Sequence, residues 1–347
     1  MADTYARYFQ AVSTPDPAAA VEVVDEALTG GVPPAALITD VLARAQRVAG
    51  EKWMQGEWTI ADEHAVTAVT KQALTVVAPP RPRTRGGPHV VVACAEGEWH
   101  SLPARMAGEL LRDDDLDVAI LGASIPVEQL REHLRSSLPD VLALSATMPT
   151  SLIGAARSIA AARHEDVPVV VGGNAWGSGQ RRARALGAHL RLDDIREVRG
   201  RLDEIRAMQP PPLPDLPDEV SWLDDVPREV LNAAFERQCA QDAALGGMDD
   251  QQRSEHERDL RSIARHAAAA VACADPSVVS DLLDWLLSMR SARGLPTEAV
   301  LDGARHLADA IDSQAPLAAA ILRGGAPRER SHESTDRDPG PGLTPAG

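Results

Sequence analysis

Only two Tyr and two Phe occur in 347 residues. Such scarcity argues against an aromatic-rich all-β protein and for helices and a parallel sheet packed through Ala, Leu and Val. Cysteine is nearly as rare: Cys94, Cys239 and Cys273 are scattered without pair spacing, so neither a disulfide framework nor a zinc motif is expected. No run of about 18 apolar residues occurs, and Met1-Ala2-Asp3-Thr4 is not a basic and apolar leader, so the expectation is a soluble cytoplasmic protein without a membrane span. Positive charge is also in deficit, with 35 Lys and Arg against 51 Asp and Glu and a formal charge of −16. That balance excludes nonspecific binding of the whole chain to nucleic acid or anionic membrane and leaves small molecules and proteins as partners.

Residues 1–78 read as a bundle of about four short helices. Pro15-Asp16-Pro17 starts one that ends at Gly30-Gly31, Pro33-Pro34 starts another, and a third begins near Thr59 and stops before Pro79-Pro80. Leu37, Ile38, Val41, Leu42, Ala45 and Val48 form one apolar stripe. Residues 79–88, rich in Pro and Arg, read as a linker. From 89 to 208 the pattern alternates. Candidate strands at 90–95, 117–121, 141–145 and 167–171 are separated by helices at 103–112, 127–137 and 151–163, with one more at 179–187, which predicts a Rossmann-like or flavodoxin-like parallel sheet. After Pro210-Pro211-Pro212-Leu213-Pro214, residues 215–323 are helical again, with amphipathic patterns at 226–244, 251–271, 277–293 and 297–311, the last opened by Pro296. Residues 324–347 read as a disordered tail.

Three elements fall at predicted strand ends, where ligands bind in open α/β sheets. Glu98-Trp99-His100 follows the first strand. A carboxylate there holds one imidazole nitrogen by a hydrogen bond and leaves the other as a metal ligand, although a loop histidine taken alone is more often a surface residue. Ser145-Ala146-Thr147 offers two hydroxyls after the third strand. Gly172-Gly173, after the fourth, lets a bulky planar ligand approach the backbone. Together these residues resemble the signature of cobalamin-binding domains, an acid-x-His-x-x-Gly followed by Ser-x-Leu or Ser-x-Thr and then Gly-Gly at similar separations. The resemblance covers about residues 88–200. It implies that His100 ligates cobalt from the lower face, that Glu98 orients it, and that Ser145 and Thr147 line the slot for the displaced nucleotide tail. Pro103 stands where the family has its Gly, and Glu98 where it has Asp.

Trp53, nine intervening residues and then Glu63-His64 resemble the Trp-x9-Glu-His motif of the bundle that caps the upper cobalamin face in light-dependent cobalamin photoreceptors. The resemblance implies adenosylcobalamin, with Trp53 shielding the adenosyl group and Glu63 contacting it. By themselves, Trp53 would be ordinary core and Glu63-His64 a solvated helix face. Met54 occupies the position that carries the upper histidine in members forming a bis-histidine adduct, with His64 as the bundle's alternative.

His256, Leu260, Ile263, Ala267 and Ala270 share one face of the helix at 251–271, and Cys273 follows it. A histidine so placed is more often satisfied core. The region resembles a globin or phycobiliprotein-type helical domain, and the whole order resembles the photocobilins, which combine cobalamin with a bilin such as biliverdin. That resemblance implies a light sensor without turnover, in which cobalt–carbon photolysis is relayed to a protein effector or a homo-oligomer. Candidate bilin contacts are His256, Arg261 with Arg265 and His266, and Cys273 as a thiol. With the first helix beginning almost at Met1, direct DNA binding is not expected. The competing readings are a corrinoid carrier for methyl transfer and a cobalamin-dependent regulator that ignores light.

Overall fold

The structure, a computed structural model, describes residues 1–80, 86–112, 116–241, 247, 249–294 and 297–324. Half of the expected linker (residues 81–85), Pro296, the end of the pattern at 226–244 and the tail after Gly324 lie outside the described residues.

The N-terminal bundle begins with α1 (Ala2–Ser13) and α2 (Pro17–Thr29), the latter capped by Asp16, whose side chain accepts from the Ala19 amide. A single helical rod follows, made of α3 (Pro34–Ala36), a π-helical stretch (Leu37–Leu42) and α4 (Ala43–Met54). The fourth member, α5 (Ile60–Val77), starts at a capping box in which Thr59 accepts from the Asp62 amide and Asp62 accepts from the Thr59 amide. That cap fixes where Glu63 and His64 emerge, in the first turn of α5. Tyr8, Leu37, Leu42 and Leu74 are fully buried at the centre of the bundle, and Leu102, Met106 and Leu110 of α6 (Ser101–Arg112) pack against them.

The central sheet is all parallel, in the order β2-β1-β3-β4-β5: β1 His89–Cys94, β2 Asp117–Gly122, β3 Val141–Ser145, β4 Val169–Gly172 and β5 Leu190–Arg191. The Rossmann-like or flavodoxin-like expectation is therefore met. Strand alternation sends Val91 and Ala93 into one core and Val90 and Val92 into another, so both faces are covered. Helices α7 (Val127–Ser137) and α8 (Leu152–His164) lie on the first face, while α10 (Glu197–Ala207) covers the second. β5 escaped the sequence pattern because it has only two residues, and the helix expected at 179–187 is the short α9 (Arg181–Ala185).

The C-terminal region contains α11 (Asp218–Asp224), α12 (Arg228–Gln241), α13 (Asp250–Ala272), α14 (Ser277–Ala292), α15 (Glu298–Ile311) and α16 (Pro316–Gly324). Its core is continuous with the first face of the sheet, through Leu152 and Ile159 on one side and Leu260 and Ala267 on the other. A buried ion pair ties the two parts: Arg182 Nε donates to Asp275 at 2.8 Å, and its Nη1 donates to the Ala175 carbonyl at 2.8 Å. Burial opposes ionisation of Asp275, but the bonds from Arg182 and Ser277 outweigh it and hold the carboxyl below its usual range. Among the described residues, no helix is long and apolar enough to cross a membrane.

Candidate functional site

β1 and β3 are neighbours whose connections leave in opposite directions, so their carboxyl ends form the switch point of the sheet, where such folds bind ligands. The loop after β1 carries Glu98 and His100. Ala95 N donates to the Ser145 carbonyl at 3.0 Å, and Ala146 N to the Gly172 carbonyl at 3.0 Å, which joins the three loop starts to one another.

Glu98 is fully buried and all its bonding capacity at the site is directed. Oε1 accepts from the His100 amide at 2.8 Å and from His100 Nδ1 at 2.6 Å; Oε2 accepts from the amides of Thr147 at 2.6 Å and Met148 at 3.0 Å. Burial pushes the Glu98 carboxyl up, yet its bonds from His100 and from the amides of Met148 and His100 bring the net shift below the usual carboxylate range. The same bond to Glu98 raises the His100 imidazole above its ordinary value, against the effect of burial. With Nδ1 turned to the carboxylate, Nε2 is the ring atom left for a ligand, the arrangement by which a carboxylate orients a metal-bound histidine.

His100 lines a cavity of about 840 Å³ between the sheet and the bundle. Its floor includes Ser145, Thr147, Gly172, Gly173 and Asn174; its roof includes Ile38, Gln46, Gly50, Glu63, His64 and Thr67. The π-helical stretch supplies Ile38, a use of that irregular geometry common at binding sites. Gly173 has φ +105°, and a Cβ there would lie 2.3 Å from the Ala146 carbonyl oxygen, so the position admits no side chain without moving β3 or β4. Ala143 and Val170, both buried and apolar, line the same cavity. An imidazole with one committed nitrogen beside a floor opened by Gly172 and Gly173 fits a large planar metal-bearing ligand.

Of the residues expected from sequence, Glu63, His64, His100, Ser145, Thr147, Gly172 and Gly173 border this one cavity, with Glu98 directly behind His100. Trp53 does not line it. Although it shares the α4 stripe of Gln46 and Gly50, at i, i+4 and i+7, its ring stacks on Trp285 of α14 at 5.7 Å. The Arg293 guanidinium lies 4.9 Å from the centre of the Trp53 ring, and Nη2 donates to the Trp53 carbonyl at 2.7 Å. The expected shield over the cavity is thus turned against the C-terminal helices, where it stacks on a second indole.

The expected bilin contacts are not gathered at a site either. His256 is buried, Nε2 bonding Gln238 Oε1 at 2.8 Å, and burial followed by the nearby Arg290 charge pushes it down to about 4. Arg261 donates to the Val226 carbonyl at 3.1 Å and pairs with Glu257; Arg265 pairs with Asp224; His266 is buried against the Ser262 carbonyl. Cys273 is fully buried, and burial pushes its thiol up to about 12, which leaves it a poor nucleophile. At 1.5 Å per residue it lies about 25 Å along the helix from His256.

Sequence reasoning missed Gln46 and Thr67, because a polar residue on a bundle helix reads as solvated. The available signal was spacing: Gln46 is seven residues before Trp53, and Thr67 four after Glu63. Trp99, between Glu98 and His100 in the sequence, was given no site role there; it is 70% exposed and lines the cavity.

Residues 88–197 match the family described as B12 binding domain, and residues 4–78 match a second family of that description. These two segments supply the floor and the roof of the cavity. The HTH-type transcriptional repressor CarH of Myxococcus xanthus is 30% identical over 172 residues, which covers 49% of this chain and 57% of the repressor. The chain therefore spans little more than half of that relative's length. The trimethylamine corrinoid protein of Methanosarcina barkeri is 27% identical over 148 residues, covering 42% of this chain and 68% of that protein. Among solved structures, the monomethylamine corrinoid protein of Methanosarcina barkeri shares the fold with a TM-score of 0.52 at 20% identity, over 59% of this chain and 99% of that one.

Proposed function

We propose that this cobalamin-binding protein, whose two B12 binding domains face each other across one cavity, holds adenosylcobalamin and serves as a light sensor. The observation that carries the reading is the polar roof. Glu63 Oε1 lies 3.2 Å from the Thr67 hydroxyl and Oε2 lies 2.8 Å from His64 Nδ1, with all three residues on the cavity. A carboxylate presented there suits an upper ligand that donates hydroxyl hydrogens, and is wasted on a bare methyl group. The similarity to CarH supports the same choice.

In this reading, His100 Nε2 would hold the cobalt while Glu98 holds the ring and keeps its proton on Nδ1, and Ser145 and Thr147 would contact the nucleotide tail. Bound adenosylcobalamin would supply a cobalt–carbon bond that visible light cleaves. Glu63 and His64 orient the adenosyl side, and the bundle excludes water from it. This reading assigns no chromophore to the C-terminal helices, where His256 and Arg261 bond within the protein and Cys273 is buried. They are the receiving side of any change in α4, because Trp285 and Arg293 grip Trp53.

The second reading, a corrinoid carrier for methyl transfer, is favoured by the likeness to the trimethylamine corrinoid protein. Protein loaded with adenosylcobalamin in the dark and then illuminated with green light separates the two. The sensor reading expects a lasting change in the cobalamin spectrum. An unchanged spectrum, together with methyl transfer from bound methylcobalamin to an acceptor protein or thiol, replaces it with the carrier.

A further inference from the structure

A chain of polar groups crosses the N-terminal bundle from its core to the cavity. Tyr8 and Thr70 are both fully buried, and the Tyr8 hydroxyl donates to Thr70 Oγ1 at 3.1 Å. The Gln46 amide lies 2.9 Å from Thr70 Oγ1 on one side and 2.8 Å from Thr67 Oγ1 on the other, and Thr67 Oγ1 in turn lies 3.2 Å from Glu63 Oε1. The Tyr8–Thr70 bond lies in the buried core, and the remaining links, through Gln46 and Thr67, run from it to Glu63 at the cavity wall.

Counting protons orients the chain. Thr67 has one hydroxyl hydrogen, and with Gln46 Oε1 facing it that hydrogen is claimed by two acceptors, Gln46 Oε1 and Glu63 Oε1. At the other end Thr70 then receives two donors, the Tyr8 hydroxyl and the Gln46 amide nitrogen. The two ends of an amide have the same shape and are assigned by their neighbours. With the Gln46 amide reversed, each group gives one hydrogen forward: Tyr8 to Thr70, Thr70 to Gln46 Oε1, Gln46 Nε2 to Thr67, and Thr67 to Glu63. The carboxylate then ends a one-way row of donors, which fixes its position.

We propose that Gln46 and Thr67 are positioning residues that aim the Glu63 carboxylate into the cavity, and so select a cobalamin whose upper ligand carries hydroxyl groups over one with a bare alkyl group. The proposal rests on the adenosylcobalamin reading of the roof. Neither residue need touch the reacting atoms; they act through Glu63. Thr67→Val keeps the side-chain shape and deletes the last donor, Gln46→Met keeps the length and deletes both amide ends, and Thr67→Ser keeps the hydroxyl.

The test is dark equilibrium binding of adenosylcobalamin and methylcobalamin to the full chain, read by absorbance, for the unaltered protein and the three variants. The unaltered protein should prefer adenosylcobalamin. Thr67→Val and Gln46→Met should each lose about tenfold of that preference, through weaker adenosylcobalamin binding, with methylcobalamin changed less than twofold; Thr67→Ser should keep it. A parallel loss of both ligands means that the chain only stabilises the bundle and overturns the proposal, as does a preference that survives in both Thr67→Val and Gln46→Met. If Thr67→Val fails to fold, Gln46→Met, at a partly exposed position, decides alone. Absence of any preference in the unaltered protein overturns the reading of the roof itself, a result distinct from a preference that ignores Gln46 and Thr67.

Discussion

The cavity floor and the C-terminal helical core each hold a hydrogen-bonded histidine, and the partner decides what each histidine can do. His100 faces the buried Glu98 carboxylate, which raises its basicity and leaves Nε2 toward a cavity. His256 faces a neutral amide, Gln238 Oε1 at 2.8 Å, packs against Phe235 at 5.1 Å between ring centres, and is driven down to about 4 by burial. Spacing alone treats the two alike. A charged partner and an adjoining space make a ligand; a neutral partner and close packing make a piece of core.

The comparison breaks most visibly at Glu98. Glu98→Gln removes the charge and places an amide nitrogen against backbone donors, since Thr147 and Met148 present N–H groups to Oε2. The expected loss is about 3 kcal/mol of folding stability by analogy with buried charge-assisted bonds, and about 10- to 100-fold in cobalamin affinity from the misdirected histidine. Chemical denaturation and absorbance titration measure the two; Gln238→Leu in the C-terminal core should leave cobalamin affinity within twofold. Next come the glycines. A Cβ on Gly154 would lie 1.9 Å from the Glu96 carbonyl oxygen, in the loop that presents His100, whereas a Cβ on Gly303 would meet Leu260 Cδ2 at 3.2 Å and Gln238 Oε1 at 3.4 Å. Gly154→Ala is expected to cost about 2–3 kcal/mol because the contact is rigid backbone, and Gly303→Ala less than about 1 kcal/mol because side chains yield. Equal melting temperatures for the two variants would contradict the difference.

The floor was legible in the sequence because its chemistry is local. Glu98 and His100 are two residues apart, and β1, β3 and β4 announce themselves by runs of Val, Leu and Ala, so Ser145 and Gly172-Gly173 fall at strand ends by counting. The roof was half legible. Glu63 and His64 were read from the Trp-x9-Glu-His resemblance, and Thr67 lies one helical turn after Glu63, but Gln46 joins the roof through Thr67 and Thr70, 21 and 24 positions away, a distance that no helical period encodes. Trp53 shows the opposite failure. Its position on α4 predicts a place at the cavity, and a partner 232 residues later in the chain, Trp285, wins the ring instead. The C-terminal helices were legible as elements but not as a binding site, because the pattern that puts His256 on an apolar face carries no information about whether that face meets space or Gln238 and Phe235.

Acidity separates the histidines further. A histidine free in the unfolded chain titrates near 6.5, while folded His256 is held down to about 4. Between those values the unfolded chain binds more protons than the folded one, so stability rises with pH across the window and is lost as pH falls from about 6.5 toward 4. His266 and His189, also pushed down to about 4 by burial, act in the same direction. His256→Gln, which keeps a donor for Gln238, should flatten the acid limb by on the order of 2 kcal/mol. Urea midpoints at pH 7 and pH 4.5 read the effect; an unaltered acid limb would show that the neutral form of His256 is not what the core selects.

The smallest effect is expected at the joint between the two regions, and it is the most specific. Arg293 contributes a guanidinium over the Trp53 ring and a hydrogen bond to the Trp53 carbonyl, and neither group is deeply buried charge. Arg293→Met preserves the length of the stem and removes both contacts, at an expected cost of about 1 kcal/mol. Since neither Trp53 nor Arg293 lines the cavity, dark cobalamin affinity should stay within twofold. What should change is the near-ultraviolet circular dichroism of the stacked Trp53 and Trp285 indoles, as the ring gripped between an indole and a cation loses one of its two neighbours. An affinity change larger than the stability change would mean that α4 already couples the roof to the C-terminal helices in the dark; no spectral change would mean that the indole stack holds without Arg293.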